Sequence, residues 1–355
     1  VRSRAGEAVR PYYEDKRDSL KDLFGARAVD VNGDGIAVDG RKYPVLDDVI
    51  ILLPPGQRPE WVRKHLAGRA DETGAVEPGG FARDIQFTFG EEWRLFPGIL
   101  PEHEEEFLQY FDLVDITNLA DARVCDLGCG IGRWSHFLKD RCRELVLLDF
   151  SEAIFVAREN LRDVPNALFF LGDLRRMPFR DDFADFLFSL GVLHHLPTGA
   201  LEEVRALSRC APAILIFLYY ALDNRPGYWR SLLSAVTRVR LALSRTEDPR
   251  LRSAATWVLT FGMYLPLIGL GNALRPAGLS RHVPLYDFYH GKSLRRIRQD
   301  VYDRFFTRIE QRFRRDQILG LGDTFRRITV SEHPPYWHFL CERDAVAAPS
   351  MPGIP

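Results

Sequence analysis

Between Ala122 and Tyr220 the chain alternates short apolar runs with helical stretches, and this rhythm restricts the fold more than any other feature. The runs are Arg123–Leu127, Leu145–Asp149, Ala167–Leu171, a run within Phe183–Leu190, and Ala213–Tyr220. Helical patterns over Trp134–Asp140, Ser151–Leu161 and Leu201–Ser208 separate them, with Ser151 placed as an N-cap. Strands alternating with helices in units this short imply a parallel sheet covered by helices on both faces. Ligands of such sheets bind beyond the carboxyl ends of the strands, near the point where strand order reverses. Residues directly after each run are therefore the first candidates for chemistry.

After the first run comes Asp126-Leu127-Gly128-Cys129-Gly130-Ile131-Gly132. The glycines permit positive φ and close approach of the backbone to a ligand. Their spacing is G-x-G-x-G rather than the G-x-G-x-x-G of dinucleotide sites, which argues against a dehydrogenase with Asp149 on an NAD ribose. An acid at Asp126 suits a ligand carrying a positive amino group and would sit poorly beside a pyrophosphate. Asp149 ends the second run, where a carboxylate can accept from both hydroxyls of a ribose. Asp173 follows the third run and can accept from an adenine amino group, with the Leu174 N–H directed to a ring nitrogen and Ile131, Phe150 and Leu174 around the base.

Four stretches in order carry a family resemblance: Val124–Gly132, Leu148-Asp149-Phe150-Ser151, Gly172–Phe179 and Ser189-Leu190-Gly191-Val192-Leu193-His194-His195-Leu196. Together they resemble the class I S-adenosylmethionine-dependent methyltransferases, in the flavour of ubiquinone and menaquinone biosynthesis, over residues 105–220. The resemblance implies a doubly wound Rossmann-like α/β fold, with a seven-stranded sheet closed by an antiparallel hairpin, and S-adenosyl-L-methionine as cofactor. It implies that Gly128, Gly130 and Gly132 line the methionine part with Asp126 near its amino group, that Asp149 holds the ribose, and that Asp173 holds the adenine amine. Cys129, Phe150, Leu174 and Gly191 complete the expected cofactor set.

Methyl transfer from a sulfonium is an in-line displacement governed by alignment, and an oxygen or protonated nitrogen acceptor also loses a proton. Candidate bases are His195 and His194 after the fourth run, Tyr220 (with Tyr219) after the fifth, and His290, Tyr302 and Asp303 further on. His195 is the preferred residue; the competing role for the histidine pair is pocket shaping or capping. The stretch Val301–Phe305 resembles a segment that precedes the last helix in related enzymes and returns to the site. Arg327–Val330 and Tyr336–Cys341 read as the closing hairpin, where His333, Trp337 and His338 pack.

The flanking segments divide the chain into an N-terminal appendage (1–67), a linker and aromatic cover (68–104), the core (105–220), a helical insertion over the substrate (221–300), the rest of the core (301–345) and a tail (346–355). Val29–Gly40 reads as small hairpins. Asp34-Gly35-Ile36 followed by Gly40-Arg41-Lys42-Tyr43-Pro44-Val45 resembles the small zinc-ribbon-like domain of tRNA-methyltransferase activators, without the cysteine ligands. Phe89-Gly90-Glu91-Glu92-Trp93 resembles an element that covers the cofactor pocket in a subset of these enzymes.

The net charge of −1 gives no electrostatic reason to expect a nucleic-acid partner, and no Asn-Pro-Pro-Tyr or Asp-Pro-Pro-Tyr follows the fourth run. The Arg295–Arg298 stretch and Arg314-Arg315 read as solvated helix faces. Cys125, Cys129, Cys142, Cys210 and Cys341 form no C-x-x-C pair, so no metal site is expected and reduced thiols in a cytoplasmic protein are. Val1–Arg10 lacks the apolar core of a signal peptide. Between Arg252 and Arg275 no residue is charged. Its Thr, Asn, Pro and Gly content favours a buried helix pair, or a wall of an apolar substrate chamber, over a stable membrane span. The expectation is a biosynthetic transferase that methylates O, N or C of a small-molecule acceptor with a sizeable apolar part. The alternative is a protein of this fold that keeps the cofactor for a non-methylating reaction, and a scaffold without catalysis is disfavoured by the intact acids. Oligomeric state is open.

Overall fold

The computed structural model describes residues 12–32, 35–67, 86, 90, 92 and 95–343. Strands are β1 (Val29–Asn32), β2 (Gly35–Val38), β3 (Arg41–Leu46), β4 (Val49–Ile51), β5 (Arg123–Leu127), β6 (Glu144–Asp149), β7 (Ala167–Leu171), β8 (Phe186–Leu190), β9 (Ala213–Phe217), β10 (Arg327–Val330) and β11 (His338–Glu342). Helices are α1 (Arg17–Phe24), α2 (Glu60–Leu66), α3 (Glu102–Tyr110), α4 (Ser135–Leu138), α5 (Ala153–Asn160), α6 (Ala200–Leu207), α7 (Gly227–Leu243), α8 (Pro249–Leu259), α9 (Leu265–Leu274), α10 (Tyr286–Tyr289), α11 (Leu294–Phe306) and α12 (Arg315–Leu319).

All strands belong to one 11-stranded sheet in the order β1-β2-β3-β4-β7-β6-β5-β8-β9-β11-β10. The segment β7-β6-β5-β8-β9-β11-β10 is the expected doubly wound arrangement, parallel from β7 to β9 and closed by the antiparallel pair β10 and β11. The sheet is larger than the seven strands expected, because the N-terminal appendage is not a separate body. Its strands pair antiparallel in sequence, and β4 joins β7 in parallel, with Ile50 opposite Phe170 and Ile51 opposite Leu171. Two-residue turns at Asp39-Gly40 and Asp47-Asp48 take positive φ at both positions, the geometry that matches strand twist in a tight hairpin. The ribbon resemblance therefore ends in a sheet extension. Tyr12 and Tyr13 seat this extension: Tyr12 Oη donates to the Ala167 carbonyl at 2.8 Å and Tyr13 Oη to that of Asp48 at 2.6 Å.

Alternate residues of the central strands feed two separate cores. Cys125, Leu127, Val146, Leu148, Leu168 and Phe170 pack on one face, and Val124, Leu145, Leu147, Phe169, Leu171 and Phe188 on the other. Each fully buried side chain of this size contributes about 1.5–3 kcal/mol, which is why the runs read as continuously apolar. At the amino end of β5, Arg123 is buried among Glu144, Asp22 and the Phe183 carbonyl and ties α1 to the sheet.

The sequence reading differs from the structure at several boundaries. The fifth strand stops at Phe217, so Tyr219 and Tyr220 lie in the segment beyond it, with Tyr220 in an isolated bridge to Phe313. Ser151 is not the N-cap of α5, which begins at Ala153 after Glu152. Val301–Phe305 is itself helical: it lies inside α11, ahead of the last helix α12, and α11 crosses the expected boundary at 300 without interruption. The stretch Pro249–Ala277 is not a helix pair but one continuous helical run, α8 and α9 joined through a π-helical turn at Thr260–Tyr264. By length and composition it is apolar enough to cross a membrane, and most of it is exposed.

The insertion has its own small core of Phe96, Tyr264, Tyr289, Ile297, Val301, Tyr302, Phe305 and Phe306. It is clamped to the main domain by buried charges. Arg296 of α11 donates from Nε and Nη2 to Glu106 of α3, both at 2.9 Å, and also pairs with Asp300. Asp300 in turn accepts from Tyr289 Oη at 2.6 Å. This fixes α11 above the carboxyl ends of the strands.

Candidate active site

Strand order reverses between β5 and β8, because β6 and β7 lie to one side of β5 and β8 and β9 to the other. A cavity of about 740 Å³ opens at the carboxyl ends of these strands and continues beneath α7, α9 and α11. Its lower wall holds Gly128, Cys129, Gly130, Asp149, Phe150, Gly172, Asp173, Leu174 and Gly191, the larger part of the expected cofactor set.

Gly128, Gly130 and Gly191 all take positive φ. At Gly128 there is no room for a side chain: a Cβ would lie 2.4 Å from Val192 Cγ2, so the β5 and β8 turns abut only because the residue is glycine. Around Gly191, by contrast, a Cβ would meet nothing, and the backbone faces open cavity. Asp149 is buried and organises the turn. Its Oδ2 accepts from Gly130 N–H at 2.8 Å, and Oδ1 from Ser151 N–H and Oγ at 2.8 and 2.7 Å. Burial raises its pKa, while the Ser151 and Gly130 bonds oppose that shift.

Three expected cofactor residues are not on the cavity wall. Asp126 is 1% exposed behind the glycine turn and accepts from Ser135 Oγ at 2.7 Å, which ties β5 to the start of α4. Burial pushes its pKa up to about 7. Gly132 faces Ala157 and Leu161 of the α5 region rather than the cavity, and Ile131 packs with Ala153. Asp173 is on the wall but engaged: Arg175 binds it through Nε at 3.0 Å and Nη2 at 2.8 Å, a bidentate pair. Arg175 was visible in the Gly172–Phe179 stretch, yet nothing in the spacing showed it turning back onto Asp173.

The candidate catalytic residues separate clearly. His194 is fully buried, outside the cavity, and stacked on Tyr219 with ring centroids 3.9 Å apart. Neither of its ring nitrogens has a hydrogen-bond partner among the described residues, and burial lowers its pKa, so it is a neutral packing ring. His290 is exposed on the surface, stacked on Tyr286, and Tyr302 is 0% exposed inside the insertion core between Phe96 and Phe306. Neither lines the cavity. Tyr302 belongs to the stretch that resembles a segment returning to the site, but packing within the insertion turns it away.

His195, Tyr220 and Asp303 do line the cavity. The His195 Nδ1 lies 2.8 Å from the Ile309 carbonyl. A carbonyl only accepts, so Nδ1 carries the proton and Nε2 is the basic nitrogen. Tyr220 packs against Tyr336 and Trp337, and burial raises its pKa. Asp303 Oδ2 accepts from Tyr219 Oη at 3.3 Å. Burial raises the Asp303 pKa, with Asp300 adding to it, while His195 and Arg304 act against it.

A polar floor emerges that the sequence did not disclose. Glu92 is buried on the cavity wall with Asp303, and burial, with the Asp303 charge adding to it, raises its pKa well above the ordinary value. Glu92 Oε2, Asp303 Oδ1 and Gln299 Nε2 are buried without a hydrogen-bond partner among the described residues. Glu92 sits in the aromatic segment; Phe89, Glu91 and Trp93 of the same motif lie outside the described residues. The upper wall is apolar, with Leu232, Val236, Met263, Leu267, Leu270 and Phe288.

Residues 124–211 match the protein-family profile described as a methyltransferase domain. No curated protein matches the chain. Among solved structures, the YcgJ protein of Bacillus subtilis is similar at 23% identity, over 37% of this chain and 58% of its own, with a TM-score of 0.31. A SAM-dependent methyltransferase of Aquifex aeolicus is similar at 18% identity, over 38% of this chain and 77% of its own, with a TM-score of 0.32. The PH0226 protein of Pyrococcus horikoshii is similar at 24% identity, over 42% of this chain and 71% of its own, with a TM-score of 0.34. This chain thus spans less than two thirds of the length of the Bacillus subtilis structure. The strand order, the glycine turn at its reversal point and the profile match agree: the chain carries a methyltransferase domain over residues 124–211.

Proposed function

We propose that this protein transfers a methyl group from S-adenosyl-L-methionine to an oxygen or nitrogen of a small amphipathic acceptor. The observation that carries the reading is that one cavity joins the glycine turn and Asp149 to the half-partnered Asp303 carboxylate. The residues suit the cofactor's parts. Asp149 has lone pairs beyond those used by Gly130 and Ser151 for a ribose diol, and Gly130 and Gly191 let backbone approach a small polar chain. Phe150 and Leu174 supply apolar surface for a base, and Asp173 with Arg175 supplies an edge of donors and acceptors.

The bound cofactor supplies an electrophilic methyl on a sulfonium. The chain's own contribution is position and proton transfer. Tyr219 holds one oxygen of Asp303, which leaves Oδ1 to accept from the acceptor's O–H or N–H. The proton that the acceptor loses on methylation would pass to Oδ1, and a raised carboxylate pKa makes Asp303 a stronger base than an ordinary aspartate. Glu92 and Gln299 orient the acceptor's polar end, and the apolar upper wall takes the rest. His195 is a second proton site through Nε2.

Calorimetric titration tests the reading. S-adenosylmethionine and S-adenosylhomocysteine should both bind with micromolar affinity and NAD should not. Binding of NAD alone would remove the cofactor assignment and the reaction with it.

A further inference from the structure

The outward face of the α8–α9 helix is unlike the rest of the surface. Leu251, Ala254, Trp257, Val258, Phe261 and Leu270 are exposed along one side, Val258 by 70% and Phe261 by 56%. They recur at helical spacing with no charge between Arg252 and Arg275. The opposite side is fastened to the protein. Arg298 of α11 reaches Ser253 Oγ at 2.7 Å and Thr256 Oγ1 at 3.2 Å, Thr260 and Tyr264 are buried, and Tyr286 Oη donates to Asn272 Oδ1 at 2.9 Å. A helix fastened along one side in this way lies on the domain rather than standing across a bilayer.

Two further observations identify the occupant. Exposed arginines stand at the two ends of the helical run that carries the apolar face, Arg250 at one and Arg275 at the other. Neither has an ion-pair partner among the described residues. Apolar side chains bordered by unpaired cations match an anionic lipid surface, with the rings below the headgroups and the guanidinium groups among them. The cavity also reaches this face. Leu270 is 50% exposed and Leu232 44% exposed, and both line the cavity, as do Gly262 and Pro266.

We infer that this helix docks the protein peripherally on an anionic membrane surface, and that the acceptor is a lipid-soluble molecule that enters the cavity between α7 and α9 from the bilayer. The docking stands on the surface alone; the entry route rests on the methyltransferase reading above. The polar end of such an acceptor would stop at Glu92, Gln299 and Asp303, with its apolar part along Met263, Leu267 and Leu270.

The test is flotation of the full chain with vesicles of phosphatidylcholine and phosphatidylglycerol in equal parts, against phosphatidylcholine alone. The protein should float with the anionic vesicles and bind the neutral ones far more weakly. The double variant V258E/F261E changes two exposed residues off the cavity wall and should bind the anionic vesicles about a hundredfold less. R250Q/R275Q leaves the apolar face intact and should lose about fivefold per arginine, with salt weakening binding of the wild type in the same direction. Both variants should bind S-adenosylhomocysteine like the wild type. Failure of the wild type to float, or equal flotation of V258E/F261E, overturns the proposal. Sedimentation velocity run in parallel covers the rival occupant: a dimer broken by V258E/F261E, without flotation, assigns the face to a second copy of the chain. A wild type that floats but binds no S-adenosylhomocysteine would sink the methyltransferase reading and leave the docking surface standing.

Discussion

Asp149 at the end of β6 accepts a hydrogen bond from the Gly130 N–H at 2.8 Å, a contact across 19 residues that fixes the glycine turn to the neighbouring strand. The same carboxylate faces the cavity, so the residue read as a ribose acceptor also builds the turn beside which the ribose would lie. Asp149→Ala should lower S-adenosylhomocysteine affinity by at least about a hundredfold, the sum of two hydrogen bonds to a charged acceptor. Calorimetry measures the loss and circular dichroism checks that the fold survives. Wild-type affinity in this variant would take Asp149 out of the site.

Asp303→Asn keeps the size of the side chain and its bond to Tyr219 but removes the base. Turnover should fall by about 10²–10⁴ while S-adenosylhomocysteine affinity holds. Burial raises the pKa of Asp303, so its ionised, proton-accepting form is reached at a higher pH than in a free aspartate. Wild-type activity should therefore fall on acidification at a pH higher than a free aspartate would give, and that limb should vanish in the variant. An unchanged acid limb would move the role to His195.

His194→Phe retains the ring stacked on Tyr219 and removes two buried nitrogens that have no partner among the described residues. The melting temperature should stay level or rise, within about 1 kcal/mol of stability, and turnover should be unchanged. A drop in turnover like that of Asp303→Asn would return His194 to the chemistry.

Asp126→Asn should stabilise the protein at neutral and higher pH. The carboxyl titrates near 3.8 when unfolded and about 7 when folded, because burial disfavours its charge. Between those values the folded state binds more protons than the unfolded state, so wild-type stability declines as pH rises through the window. An amide still accepts from Ser135 and has no such cost. Chemical denaturation should show an advantage of roughly 2–4 kcal/mol above the folded pKa, shrinking to nothing near the unfolded one. A destabilised variant at high pH would mean the charge itself is used.

Much of this was legible in the chain. Continuous apolar runs such as Leu145-Val146-Leu147-Leu148 form strands buried on both faces, and the G-x-G-x-G turn with Asp149 and Asp173 after successive runs marked the strand ends at which the cavity opens. Those signals are local: strand burial and tight turns depend on residues adjacent in sequence. What the tertiary structure decided is which polar groups meet across the chain. His194 and His195 are neighbours, yet only the second faces the cavity. Tyr302 and Asp303 divide in the same way, because rotation along α11 turns one into the core and the other to the cavity. Glu92 joins Asp303, Arg175 turns onto Asp173, and the α8–α9 helix keeps an apolar face outward through contacts between residues distant in sequence. Such pairings follow from packing between layers, which no local pattern encodes.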